Sequence, residues 1–143
     1  MNNNNLKIKE TFAIALQNHQ KNNFKVAESL YKEILKTKPN HFESVFYLGS
    51  LLVQTKNFDK AKQLLQKAIQ INPHFAVAYN NLGITFKELG KHQEALACYK
   101  NAILADPNHT LAVNNLSFLI KETQLNNLTQ THSSSLKELI LLL

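Results

Sequence analysis

The chain has 143 residues, 44% of them hydrophobic, with 16 lysines, no arginine and 10 acids, for a net charge of +6. That length suits one domain and excludes a catalytic domain joined to a sizeable accessory one, and only three Gly and three Pro favour long helices over a many-turned sheet. Residues 1–41 hold seven lysines against three acids and 42–75 four against two, while the remainder is neutral, so the basic charge is spread over the first half among acids like a solvated helical face.

Residues 1–7 read as a disordered tail. Met1 to Leu6 has neither the basic n-region nor the apolar h-region of a signal peptide, and no stretch approaches 18 consecutive apolar residues, so a cytoplasmic protein without a membrane span is expected. From residue 8 a period of 34 sets in, with Pro39, Pro73 and Pro107 closing units 8–41, 42–75 and 76–109. Ala27, Ala61 and Ala95 lie 12 residues before the prolines, Tyr31, Leu65 and Tyr99 eight before, and Ile34, Ala68 and Ala102 five before. Small residues recur 24 before, as Ala15, Gly49 and Gly83, with Ser117 in the same register of a fourth unit.

The third unit is the clearest. Helices over about 76–89 and 92–105 join across Gly90, which tolerates a left-handed backbone. Gly83 and Ala95 sit where the two helices approach closely, and Pro107 stops the second, lacking an N–H and crowding the preceding turn. Asn40 with Glu43 forms an expected capping box for the second unit. A partial unit, 110–123, supplies one more helix, but Leu116, Phe118, Leu119 and Ile120 spread over more than one face. A polar linker is expected over 124–134, and then a helix over 135–143 that begins with Ser135 and Glu138 and places Leu136, Leu139, Ile140 and Leu143 together. That last helix is open to three readings: a cap folded back on the fourth unit, an association surface, or one piece of a longer chain.

This pattern resembles the tetratricopeptide repeat, a 34-residue helix-turn-helix. Tyr79, Leu82, Gly83, Phe86, Gly90, Ala95, Tyr99, Ala102 and Pro107 match it in the third unit, and Leu48, Gly49, Leu52, Ala61, Leu65, Ala68 and Pro73 in the second. The first unit is degenerate in its first helix, at Thr11, Ile14 and Ala15; the fourth starts with Val113, Leu116, Ser117 and Ile120 and then departs. The resemblance implies an all-α fold, an alpha-alpha superhelix that is a right-handed solenoid of stacked hairpins, each stable only against its neighbours.

The resemblance also implies a concave face built from the first helix of each unit. It would carry Lys9, Phe12, Ala13, Leu16, His19 and Gln20, then Glu43, Phe46, Tyr47, Ser50, Val53 and Gln54. Val77, Asn80, Asn81, Ile84, Lys87 and Glu88 follow, and after them Leu111, Asn114, Asn115, Phe118, Lys121 and Glu122. The ligand-binding set expected from these is Phe12, Leu16, Phe46, Tyr47, Ser50, Asn80, Asn81, Ile84, Lys87, Asn114, Asn115 and Phe118. Asn81 and Asn115 occupy one register a unit apart and resemble the asparagine ladder in the superhelix of O-linked N-acetylglucosamine transferases, whose amides grip a peptide backbone. Asn80 and Asn114 resemble part of the carboxylate clamp of co-chaperone repeats, but Phe46, Tyr47 and Val77 stand where its cations belong.

Catalysis is not expected, nor is a cofactor or metal. His19, His41, His74, His92, His109 and His132 are scattered, no His, Cys and Asp share metal-ligand spacing, and Cys98 has no histidine near it in its helix. A single Cys excludes an internal disulfide and fits a reducing compartment. Lacking Arg, the chain has no bidentate fork for phosphate or guanine, so nucleic acid is an improbable partner. The expected function is a protein interaction module taking a peptide or helical segment. Two alternatives stay open: an accessory repeat region of, or partner to, a glycosyltransferase or sulfotransferase, as the resemblance suggests, and a self-associating protein using Leu136, Leu139, Ile140 and Leu143 as a homodimer surface.

Overall fold

The structure is a computed structural model describing residues 3–141, with backbone alone for 132, 135, 136, 138 and 139. Seven helices follow one another among the described residues: α1 Asn3–Gln20, α2 Phe24–Thr37, α3 Phe42–Gln54, α4 Phe58–Ile71, α5 Ala76–Glu88, α6 His92–Ala105 and α7 Thr110–Leu141. They form an all-α solenoid of three hairpins, α1–α2, α3–α4 and α5–α6, with α7 laid on the last.

The hairpin turns share one solution. Asn22, Lys56 and Gly90, spaced by 34, take positive φ of 61°, 61° and 74°. Beyond each, a backbone N–H reaches back across the helix end: Asn23 to the Asn18 carbonyl, Asn57 to Leu52 and Lys91 to Phe86, each at 2.8 Å. These bonds satisfy carbonyls the helix ends leave open. Between hairpins the helices stop two residues before each proline, and Lys38, Asn72 and Asp106 are extended at φ −134°, −132° and −144°. A following proline ring disfavours the helical conformation there.

Large buried residues face small ones inside each hairpin. Tyr31, Leu65 and Tyr99 are enclosed, as are Ala15, Ala27, Ala61 and Ala95. Curvature follows from which helices meet. The first helices touch one another, α1 with α3, α3 with α5 and α5 with α7, whereas α2, α4 and α6 do not approach each other. The first helices therefore lie on the inside of the bend.

Three expected boundaries differ. Residues 3–7 belong to α1 rather than to a tail. Residues 124–134 are not a linker, and 135–141 are not a separate helix, because α7 runs unbroken for 32 residues. The cause is local: Gln124 stands in the register of Asn22, Lys56 and Gly90 without their positive φ, and neither Gly nor Pro interrupts 110–141. The cap of α3 also differs from the expected Asn40–Glu43 box. His41 is the N-cap, its Nδ1 accepting from the Ser44 backbone N–H at 3.3 Å and lying 2.8 Å from Ser44 Oγ. Of the expected association residues, Leu136 and Leu139 have side chains outside the described part and Leu143 lies outside the described residues, while Ile140 is exposed.

Candidate functional site

The inside of the bend carries an open groove of about 530 Å³ between α1, α3 and α5. Its lining is Leu16, His19, Gln20, Asn22, Phe46, Tyr47, Ser50, Gln54, Val77 and Asn81. None carries a fixed charge.

Aromatic packing builds the floor. Phe46 is buried, edge-on to Phe75 at 4.9 Å and to Tyr47 at 5.2 Å, and Phe42 stacks beside it at 6.3 Å. Tyr47 in turn lies parallel to Tyr31 at 6.3 Å, and Phe12 meets Tyr31, His41 and Tyr47 at 5.6 to 6.0 Å. Such ring contacts fix side-chain positions beyond what area burial alone does. The groove thus has a preformed floor.

His19 sits at the end of that system, edge-on to Phe24, Tyr31 and Tyr47. Its Nδ1 is 3.3 Å from Tyr31 Oη and its Nε2 3.3 Å from Gln54 Oε1. Burial holds the imidazole below its ordinary 6.5, the Gln54 bond opposing this in part. Burial, helped by Tyr47, pushes the Tyr31 phenol up to about 12, so its O–H proton stays in place. In the neutral ring, Tyr31 O–H donates to Nδ1 and Nε2–H donates to Gln54 Oε1, which pairs both ring nitrogens.

The asparagines act between repeats. Asn81 Nδ2 donates to Ser50 Oγ at 2.9 Å, and Asn115 Nδ2 donates to Asn80 Oδ1 at 2.9 Å. Asn80 is buried, so its expected clamp position is spent on that bond. A buried amide oxygen left unpaired is costly, which makes the Asn80–Asn115 pair part of the stacking.

Of the twelve residues expected to bind ligand, Leu16, Phe46, Tyr47, Ser50 and Asn81 line this groove together. Phe12 supports it from below. Ile84 is half-buried against the core. Lys87 is turned toward α7, its Nζ 4.6 Å from the Phe118 ring centre and 3.9 Å from Glu122 Oε2. Asn114, Asn115 and Phe118 sit on α7 outside the groove, Asn114 and Phe118 exposed. Sequence reasoning missed Asn22, whose signal was its alignment with Lys56 and Gly90 at the hairpin turn. It placed His19 on the concave face but not in the ligand-binding set, because a 34-residue register says nothing of the Tyr31 and Gln54 partners.

Among the described residues no group of three or more His, Cys, Asp and Glu could hold a metal ion, and no helix is long and apolar enough to cross a membrane. Cys98 is buried, with its thiol pushed up to about 11 by burial and then by Glu94. That suppresses the thiolate needed for nucleophilic chemistry.

Residues 76–109 match a family model described as the tetratricopeptide repeat, and residues 19–82 match a second model of the same description. No curated protein matches the sequence significantly. Among solved structures, an O-GlcNAc transferase mutant of Thermobaculum terrenum superposes with a TM-score of 0.79 at 21% identity, over 84% of this chain but only 23% of that one. The first tetratricopeptide domain of Spaghetti (RPAP3), bound to an HSP90 peptide, gives 0.79 at 19% identity over 83% of this chain and 94% of that one. MamA from Desulfovibrio magneticus RS-1 gives 0.78 at 19% identity over 92% and 74%.

Proposed function

The chain belongs to the tetratricopeptide repeat family, and from that premise we propose that it is a recognition module whose concave groove binds a peptide segment of another protein. The observation that carries this is the groove itself, about 530 Å³ lined by three successive first helices with an aromatic floor. The Spaghetti domain, of the same fold, is solved with a peptide bound. An extended segment placed here would bury apolar side chains against Leu16, Phe46, Tyr47 and Val77 while the amides meet its backbone. Asn81 belongs to that contact, and Asn115 would continue it only on the α7 side. Affinity on the order of micromolar suits a groove of this size.

Selection of displayed random peptides on the immobilised chain, followed by titration of synthetic hits, tests this reading. Leu16→Arg and Val77→Arg place a guanidinium in the groove and should abolish binding while the helical circular dichroism is kept. Hits indifferent to both substitutions would place the binding surface elsewhere.

Self-association through α7 is a second reading, favoured by the exposure of Leu125, Leu128, Ile140 and Leu141 along its outer half. Light scattering on the full chain and on one ending at Gln130 across a dilution series decides it. A dimer that dissociates on truncation supports the reading, and a monomer at every concentration rejects it. Service as a repeat region beside a glycosyltransferase is consistent with the Thermobaculum terrenum match. A cytoplasmic setting suits the unpaired, buried Cys98.

A further inference from the structure

We propose that the groove selects an uncharged, extended segment carrying one bulky apolar side chain, with Gln54 donating to a ligand backbone carbonyl, Asn81 accepting from a ligand N–H, and His19 acting as the positioning residue that turns the Gln54 amide outward. This rests on the peptide-binding reading above and adds the chemistry of the partner.

Orientation of Gln54 follows from the buried side of the network. Tyr31 is fully buried, and the acceptor its hydroxyl reaches is His19 Nδ1. Were Nδ1 protonated in the neutral ring, that hydroxyl proton would have no acceptor, and a buried unpaired donor is costly. Nε2 therefore carries the ring proton and donates to Gln54 Oε1. The Gln54 NH2 group is left to the groove as a donor.

Asn81 presents the opposite polarity. Its Nδ2 is engaged by Ser50 Oγ, so its Oδ1 remains as an acceptor. A donor on α3 and an acceptor on α5, both lining the groove beside Phe46 and Tyr47, match the alternating C=O and N–H of an extended chain whose side chain rests against those rings. Partner charge is decided by what the lining lacks. Around the groove stand the neutral Gln20, Asn22, Gln54 and Asn81, and His19 is held neutral by burial. An acidic or basic segment would lose hydration there without gaining a counter-charge.

The probes are a displayed random twelve-residue library and the acidic peptide SRMEEVD found in the Spaghetti complex. Selected sequences should share a bulky apolar residue flanked by uncharged ones, and SRMEEVD should bind at least about tenfold more weakly. Gln54→Glu, which turns the donor into an acceptor, should weaken a selected peptide about tenfold, and His19→Phe, which keeps the ring packing, about threefold. Replacing the ligand amide that meets Gln54 by an ester, a poorer acceptor, should weaken binding to the unaltered chain and lose that effect in His19→Phe. A merely structural role for His19 would leave the ester penalty unchanged. Acidic hits, SRMEEVD binding as tightly, or indifference to Gln54→Glu and His19→Phe overturn this proposal while the groove stands. An empty selection, or hits insensitive to Leu16→Arg and Val77→Arg, defeats the groove reading and this inference with it.

Discussion

The second and third hairpins follow one template yet differ at its tightest point. A Cβ on Gly49 would stand 3.1 Å from Leu65 Cδ2 and Cγ, whereas one on Gly83 would stand 2.5 Å from Cε1 and 2.7 Å from Cδ1 of Tyr99. Both partners are enclosed, but Leu65 would have to give by only a few tenths of an ångström, whereas the Tyr99 ring is a rigid plate overlapped much further. The same glycine in the same register is thus a convenience in one hairpin and a requirement in the next. Repeat identity does not carry energetic identity with it.

The strongest way to sharpen this contrast is Gly83→Leu, expected to cost about 3 kcal/mol or more in urea unfolding through overpacking, with Gly83→Ala at about 1 to 3 kcal/mol. Tyr99→Leu recreates the Gly–Leu pair of the second hairpin, and combining it with Gly83→Ala should cost less than the sum of the single changes. An unaltered melting curve for Gly83→Leu would reject the assigned register.

Asn115→Ala comes next, at about 1 to 2 kcal/mol, since it strips the donor from the buried Asn80 oxygen at the α5–α7 junction. Equal stability of the variant would make that bond ornamental. The hairpin turns repeat the comparison on a smaller scale. Lys56 holds a positive φ that strains a side chain, while Gly90 holds one freely. Lys56→Gly should therefore stabilise by about 0.5 kcal/mol or more, and Gly90→Ala should destabilise by about 1 kcal/mol. Gly49→Ala should fall within about 1 kcal/mol of zero, because helix propensity gained by Ala offsets the tight contact.

The smallest response expected is to pH, through one histidine in each of the first two hairpins. His19 and His41 are both held below the ordinary 6.5 chiefly by burial; for His41 the Glu43 carboxylate opposes and Lys38 reinforces the shift. The unfolded chain then takes up protons before the folded one as pH falls. Their contribution is fully present above about 6.5 and declines as pH drops from there toward the folded values. Melting temperature should accordingly fall between pH 7.5 and pH 5.5, with a shallower slope in a His19→Phe, His41→Asn double variant. A slope unchanged in that variant would assign the pH response to other groups.

Much of the architecture was legible because helix punctuation is local. Prolines 34 apart, Gly90 at a turn and small residues at a fixed register each act within a few residues of themselves, and the structure places helix ends where those signals lie. The same rules explain the misses. Residues 124–134 look like a linker by polarity, yet nothing in them breaks a helix, and α7 continues through. Polarity marks exposure; Gly, Pro and left-handed backbone mark termination.

By itself the sequence determined the period, the helical hairpins, the register of small residues at the crossings and the family. It did so because these depend on backbone sterics and on residue size at fixed spacing. Only the tertiary structure decided which side chains share a groove and which are spent on stacking. Asn80 and Asn81 are neighbours in the chain, yet Asn80 is buried against Asn115 while Asn81 meets Ser50 at the groove. His19, Tyr31 and Gln54 lie on three different helices, and their hydrogen bonds exist only where the curvature of the array brings α1, α2 and α3 together.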